Sequence, residues 1–222
     1  MLRRFATALA LGSAVVLVGG VADATTTVLT DAVGDATLCH NYYLNPIVVQ
    51  CPSVDSDPTI DIVSADIATS PAGDLVAKLH VLDLDDPFSS DRKDTRYSFA
   101  TYLDQGAAVI QLTAERHGDA VVGKLYVAGS SGGSTVLTPV TFNFSTNHVR
   151  WALPLSVVNE RLDIACASCP DVATGTLLTN FSIATSASQL SVYTDLSGGE
   201  TSGGLVSKGD RAFSETTYTV GS

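Results

Sequence analysis

From about residue 60 to the C-terminus, apolar residues recur at every second position. Leu75, Ala77, Leu79 and Val81 share one face of an extended segment, with Lys78 and His80 on the other. A period of two puts alternate side chains on opposite faces of a strand, whereas a helix groups residues three and four apart. Ile110, Leu112 and Ala114 repeat the pattern, and His117-Gly118-Asp119 then turns the chain into a run with Val121, Leu125 and Val127 in phase. That pair predicts a β-hairpin. A second is predicted where Val140, Phe142 and Phe144 are followed by a turn at Thr146-Asn147 and by Val149, Trp151 and Leu153. Phe181 and Ile183 mark a further strand, and residues 216–220 a short terminal one. Helical periodicity is confined to Leu155–Arg161, about two turns after Pro154. The Gly/Ser-rich stretches at 129–134 and 197–204 are expected to be loops. Short strands without intervening helices predict an all-β fold, a single antiparallel β-sandwich of jelly-roll or immunoglobulin-like type.

The N-terminus constrains where such a sandwich works. Met1–Arg4 is a short cationic start, residues 5–21 are almost unbroken apolar sequence, and Ala22-Asp23-Ala24 supplies a small-x-small end. These are the parts of a cleaved signal peptide, and residues 1–24 are read as one. Residues 25–222 then form the single domain, secreted and free of the membrane once the leader is gone. An uncleaved anchor fits less well, because Gly12, Ser13 and Gly19 interrupt the apolar run. Removing Arg3, Arg4 and Asp23 with the leader takes the balance from 23 acidic against 12 basic residues to 22 against 10, a mature charge of −12. So acidic a surface excludes a nucleic-acid backbone or an anionic membrane as partner.

Four cysteines in an exported chain predict disulfides. Of the three pairings available, Cys39–Cys51 with Cys166–Cys169 closes two local loops and is the one expected. Zinc is the alternative for such residues, but the spacing of Cys39 and Cys51 is wrong for a ligand pair, and only His40 lies close to either pair.

Asp is the unusual residue: residues 25–222 hold 18 Asp and 4 Glu, and twelve of the Asp fall between Asp31 and Asp94. They concentrate in two stretches, Asp31/Asp35 with Asp55/Asp57/Asp61, and Asp83/Asp85/Asp86 with Asp91/Asp94. Short carboxylates on loops suit Ca²⁺, which takes six to eight oxygens and relieves their mutual repulsion. Residues 55–66 are no EF-hand, since Pro58 and Ile60 break the frame where the loop needs a glycine. The same Asp residues would also serve to cap turns and keep a secreted surface soluble.

Catalytic motifs fail on context. Gly129-Ser130-Ser131-Gly132-Gly133 satisfies G-x-S-x-G, but strand-like sequence follows where a helix is required. Residues 199–205 look like the nucleophile loop of chymotrypsin-like proteases, yet none of His40, His80, His117 or His148 has the setting that chemistry needs. Trp151 is in phase with Val149 and Leu153 and is expected in the core. Tyr42, Tyr43, Tyr97 and Tyr102 are expected to be partly exposed.

Several stretches together carry a family likeness. Asp31-Ala-Val-Gly-Asp35 is followed by residues 57–66 (Asp-Pro-Thr-Ile-Asp-Ile-Val-Ser-Ala-Asp), and then by the strand Asp74–Asp83. Val149–Ser156 and the ending Asp210–Thr219 complete the order. This arrangement resembles secreted β-sandwich modules of the DOMON-like group, which includes family 9 carbohydrate-binding modules. The resemblance implies a sandwich that binds a sugar or another surface ligand, sometimes with structural Ca²⁺, and Asp31, Asp35 and Asp61 match its acidic positions. The tryptophan pair that encloses a saccharide in the carbohydrate-binding members has no counterpart, since Trp151 is the sole tryptophan. The expectation is therefore a non-catalytic, calcium-stabilised extracellular module whose partner is a carbohydrate or a cell-surface component. The alternatives are a secreted hydrolase with scattered carboxylates and a structural surface protein with no small ligand.

Overall fold

The computed structural model describes residues 25–42, 48–50, 58–84, 93–103, 106–117, 120–194 and 200–222. In chain order the elements are β1 (Thr26–Thr30), β2 (Thr37–Tyr42), β3 (Val48–Gln50), β4 (Ile62–Thr69), β5 (Asp74–Val81), β6 (Lys93–Leu103), β7 (Ala108–His117), β8 (Ala120–Gly129), β9 (Gly132–Leu137), β10 (Val140–Asn143), β11 (His148–Pro154), α1 (Leu155–Ala165), β12 (Leu177–Thr194) and β13 (Glu200–Thr219). They form two antiparallel sheets packed against each other, one ordered β1-β4-β5-β11-β10 and the other β3-β2-β13-β12-β6-β7-β8-β9. The chain is an all-β sandwich, as the alternation predicts.

The core lies where the alternating faces meet. Leu75, Ala77, Leu79 and Val81 of β5 are buried, as are Ile110, Leu112 and Ala114 of β7. In the register of β5 with β11, Ala77 lies opposite Trp151 and Leu79 opposite Val149, so one apolar row continues across the sheet. Trp151 is fully buried, and its indole N–H donates to the Thr113 carbonyl oxygen at 3.2 Å. A buried Trp needs such an acceptor, because an unpaired N–H in the core costs free energy.

Several local expectations are corrected. Tyr97 is enclosed, not exposed: it shares the inward face of β6 with Phe99, and its hydroxyl donates to the Thr59 carbonyl oxygen at 3.0 Å. Tyr102 is exposed as expected, while the side chains of Tyr42 and Tyr43 lie outside the described residues. Val121 and Phe144, placed on inward faces by alternation, are exposed. The 197–204 stretch is not all loop, because β13 begins at Glu200 and pairs Gly203 and Gly204 with Val192 and Ser191 of β12. A long partner strand supplies the ladder that Gly and Ser would not favour alone. The expected short terminal strand is the end of this element. The helix runs one turn further than expected, with Val158, Leu162 and Ala165 buried at helical spacing and α1 packed on β8 and β9. Its end is tied by the Cys166–Cys169 disulfide. The expected Cys39–Cys51 bond falls on Cys51, outside the described residues, as does the whole of 1–24. No helix among the described residues is long and apolar enough to cross a membrane.

Candidate cation centre and adjoining groove

Where β1 leaves the first sheet, the chain crosses to begin β2 in the second, and this crossing carries Asp31 and Asp35. The Asp31 N–H donates to the Val63 carbonyl oxygen at 3.0 Å, tying the crossing to β4. Gly34 sits at φ 93°, a left-handed conformation in which a side chain would be strained. Its N–H donates to Asp61 Oδ2 at 2.7 Å. Asp61 immediately precedes β4 and is fully buried. From β13, Asp210 reaches across to the first sheet: its Oδ2 accepts the Ile62 N–H at 2.8 Å and its Oδ1 the Arg211 N–H at 2.7 Å.

These contacts bring one carboxylate oxygen each of Asp31, Asp35 and Asp210 within 4.8 Å of one another. Asp31 and Asp35 thus meet as the sequence suggests. The third member of the group is Asp210, and Asp61 instead braces the crossing through Gly34. Two oxygens of the assembly, Asp31 Oδ2 and Asp61 Oδ1, are buried without a hydrogen-bond partner. Burial pushes the Asp61 carboxyl above the usual range against the pull of the Gly34 N–H, and Asp35 and Asp31 push it further. Burial likewise raises Asp210, and the same two carboxylates add to the effect against the Ile62 and Arg211 N–H groups. An all-carboxylate donor set with orphaned buried oxygens is matched to a hard divalent cation and not to zinc or copper, which favour nitrogen and sulfur.

Asp210 was legible only as part of the ending Asp210-Arg211-Ala212-Phe213. Its hydrogen bond to Ile62 spans 148 positions, and no spacing rule links such residues. The other acidic stretch has different employment. The Asp94 carboxylate is bonded to His117, and Asp83 pairs by its backbone N–H with the Pro58 carbonyl oxygen at 2.9 Å. Asp55, Asp57, Asp85, Asp86 and Asp91 lie outside the described residues. The G-x-S-x-G stretch is the tight turn between β8 and β9, where the Ser131 N–H donates to the Ala165 carbonyl oxygen at 2.8 Å; no helix follows it.

Asp35 and Asp210 also border a groove of about 660 Å³ against the second sheet. Its floor comes from small residues of β12 and β13, among them Ala184, Ser186 and Gly209. Arg96, Ser98, Gln111 and Arg211 stand around it, and Gln111 Nε2 donates to Ser98 Oγ at 2.9 Å. Because Tyr97, Phe99 and Ile183 face the core, the alternating residues Arg96, Ser98 and Ala184 face outward. Further along the same strands, Tyr102 and Phe213 border a second hollow of about 500 Å³. Phe213 is 67% exposed, and the Arg211 guanidinium lies 5.8 Å from its ring centroid. The alternation around Phe213 is that of an ordinary strand residue, so the sequence carries no signal for its exposed ring.

No family model, curated protein or solved structure matches this chain.

Proposed function

We propose that this chain is an exported, non-catalytic binding module in which a calcium ion organises the carboxylates at one end of the sandwich and the outward face of the larger sheet takes a carbohydrate. The observation that carries the reading is the convergence of Asp31, Asp35 and Asp210, with buried partnerless oxygens on Asp31 and Asp61. A protein gains nothing by burying carboxylate oxygens without donors, and an ion bound there would offset both their desolvation and their repulsion. Asp31 and Asp35 would hold it from the crossing and Asp210 from β13. The adjoining groove suits a hydroxylated ring: a small-residue floor admits a flat ligand, and Gln111 and Ser98 offer neutral hydrogen-bonding groups, while the neighbouring hollow along the same strands adds the exposed Phe213 ring.

The hydrolase alternative draws less support. Glycoside cleavage needs a carboxyl pair free to meet the scissile bond. Asp61 is enclosed, and both oxygens of Asp210 are held by backbone N–H groups. Thermal unfolding in EDTA, Ca²⁺ and Mg²⁺ at matched ionic strength, repeated on Asp210→Asn, tests the ion. The expected result is a midpoint raised by Ca²⁺ more than by Mg²⁺, and only in the unsubstituted protein. Equal midpoints in all conditions would remove the ion from the reading. A glycan array run in Ca²⁺ tests the ligand, and an array with no binding would leave a structural role. N-terminal sequencing of exported protein tests cleavage after residue 24.

A further inference from the structure

Resting on the reading above, we propose that the groove selects a carboxylated sugar, a single uronate within an otherwise neutral glycan, and that a divalent ion in the Asp31/Asp35/Asp210 cluster is what admits it. The basis is the company the two groove arginines keep. The chain after residue 24 holds six arginines against 22 acidic residues, yet Arg96 and Arg211 both border this one groove. Among the described residues, neither is firmly spent on the protein. Arg96 Nε is 3.8 Å from Glu115 Oε1, with both side chains more than a third exposed, so that pair is loose. The Arg211 guanidinium carbon lies 5.8 Å from the Phe213 ring centroid, a contact that uses none of its N–H donors. A planar fork of donors beside an exposed aromatic ring matches a pyranose bearing a carboxylate, which accepts two parallel N–H bonds while the ring stacks.

The coupling to the ion comes through Asp35 and Asp210, which belong to both the cluster and the groove border. With the cluster empty, three carboxylates at the end of the groove repel an arriving anion and compete with it for the arginines. A divalent ion cancels two of those charges. The balance at the groove then passes to Arg96 and Arg211. The overall charge limits the ligand in turn: a chain at −11 repels a polyanion at long range, so an isolated carboxylate among neutral sugars fits and a densely charged polymer does not.

The test is calorimetric titration of the full chain with three probes: a disaccharide of glucuronic acid and a neutral sugar, its methyl ester, and the all-neutral disaccharide. Each is run in saturating Ca²⁺ and in EDTA, with the Ca²⁺-induced shift in Tm measured in parallel. In Ca²⁺ the acid should bind at least tenfold more tightly than the ester, and EDTA should weaken the acid at least tenfold while leaving the neutral probes nearly unchanged. Arg211→Gln and Arg96→Gln should each abolish the preference for the acid, with an unchanged Tm showing that the fold is intact. Equal affinity for acid and ester, or no binding of any probe, would overturn the uronate inference while a Ca²⁺ shift in Tm kept the ion reading. Acid binding unaffected by EDTA would overturn the gating. Absence of any Ca²⁺ effect on Tm would fail the underlying reading of the cluster.

Discussion

The sandwich carries two polar clusters, and they solve the problem of partly buried charge in opposite ways. On the outward face of the first sheet, Asp66 accepts from the Thr27 hydroxyl at 2.8 Å and lies 3.0 Å from His80 Nε2. His80 and His148 are direct cross-strand partners with ring centroids 5.2 Å apart, and His148 Nδ1 is 2.8 Å from the Thr146 hydroxyl. Hydrogen bonding to His80 holds the Asp66 carboxyl below its usual range, and burial together with His80 and Lys78 holds His148 below its own. At the β1–β2 crossing the members are all carboxylates, two of their oxygens have no partner, and two of the groups are pushed up instead of down. The first cluster is complete as it stands. The second leaves oxygens without donors, and the comparison teaches that the sign and satisfaction of neighbours, more than the number of acids, are what distinguish the cluster for which we propose an ion.

The largest expected effect asks whether both clusters depend on one core. Trp151→Ala should cost about 3–5 kcal/mol by cavity formation, by the same amount in EDTA and in Ca²⁺, as read by chemical denaturation. A variant of full stability that lost only ligand binding would show Trp151 to be a platform. Next is the ion itself. Ca²⁺ at a hundredfold excess over its Kd should stabilise by about 2.7 kcal/mol, with Asp210→Asn losing this and His148→Gln keeping it. A loss in both variants would erase the distinction between the clusters. Smaller again, Asp66→Ala should cost about 1–2 kcal/mol at neutral pH whether or not Ca²⁺ is present, since it removes two bonds at a partly exposed site.

The subtlest effects concern signs. Asp61→Asn keeps an acceptor for the Gly34 N–H but removes a buried like charge, so in EDTA it should gain about 1 kcal/mol, and in Ca²⁺ lose the advantage. A loss in both conditions would mean that Asp61 is needed as a charge even without the ion. The pH response should also divide. A carboxyl raised in the folded state, as in Asp61 and Asp210, stabilises fully below its ordinary value of about 3.9, and that contribution is lost as pH rises through the raised value. His148 is lowered, so its contribution is present above about 6.5 and is lost as pH falls below it. Asp66, also lowered, contributes above the ordinary carboxylate value and loses this as pH falls through its own. In EDTA the two ends therefore pull in opposite directions below neutrality, and Asp66→Asn with His148→Gln should unmask a Tm that rises on mild acidification. A flat profile for that double variant would break the contrast.

Much of the fold is legible without coordinates, because a strand's two faces are written in residues two apart. The rows Leu75–Val81 and Val149–Leu153, the pairing of β7 with β8, the turn at Asn147 and the local Cys166–Cys169 bond all follow from neighbours in sequence. Tyr97 was legible in principle, since it is in phase with Phe99, but its burial was settled by an acceptor 38 positions away at Thr59. The Gly-rich start of β13 and the side of it that meets β2 were not legible, because pairing with a partner strand outweighs local propensity. The acidic end divides along the same line. Asp31 and Asp35 are four positions apart, which lets the sequence suggest a carboxylate pair, but an extended chain could separate them by about 14 Å, and it is the turn at Gly34 that brings them together. Only the packing of one sheet on the other decided that Asp210 completes the group and that Asp61 is sealed beneath Gly34, because those contacts depend on long-range register and on which oxygens are left without a donor.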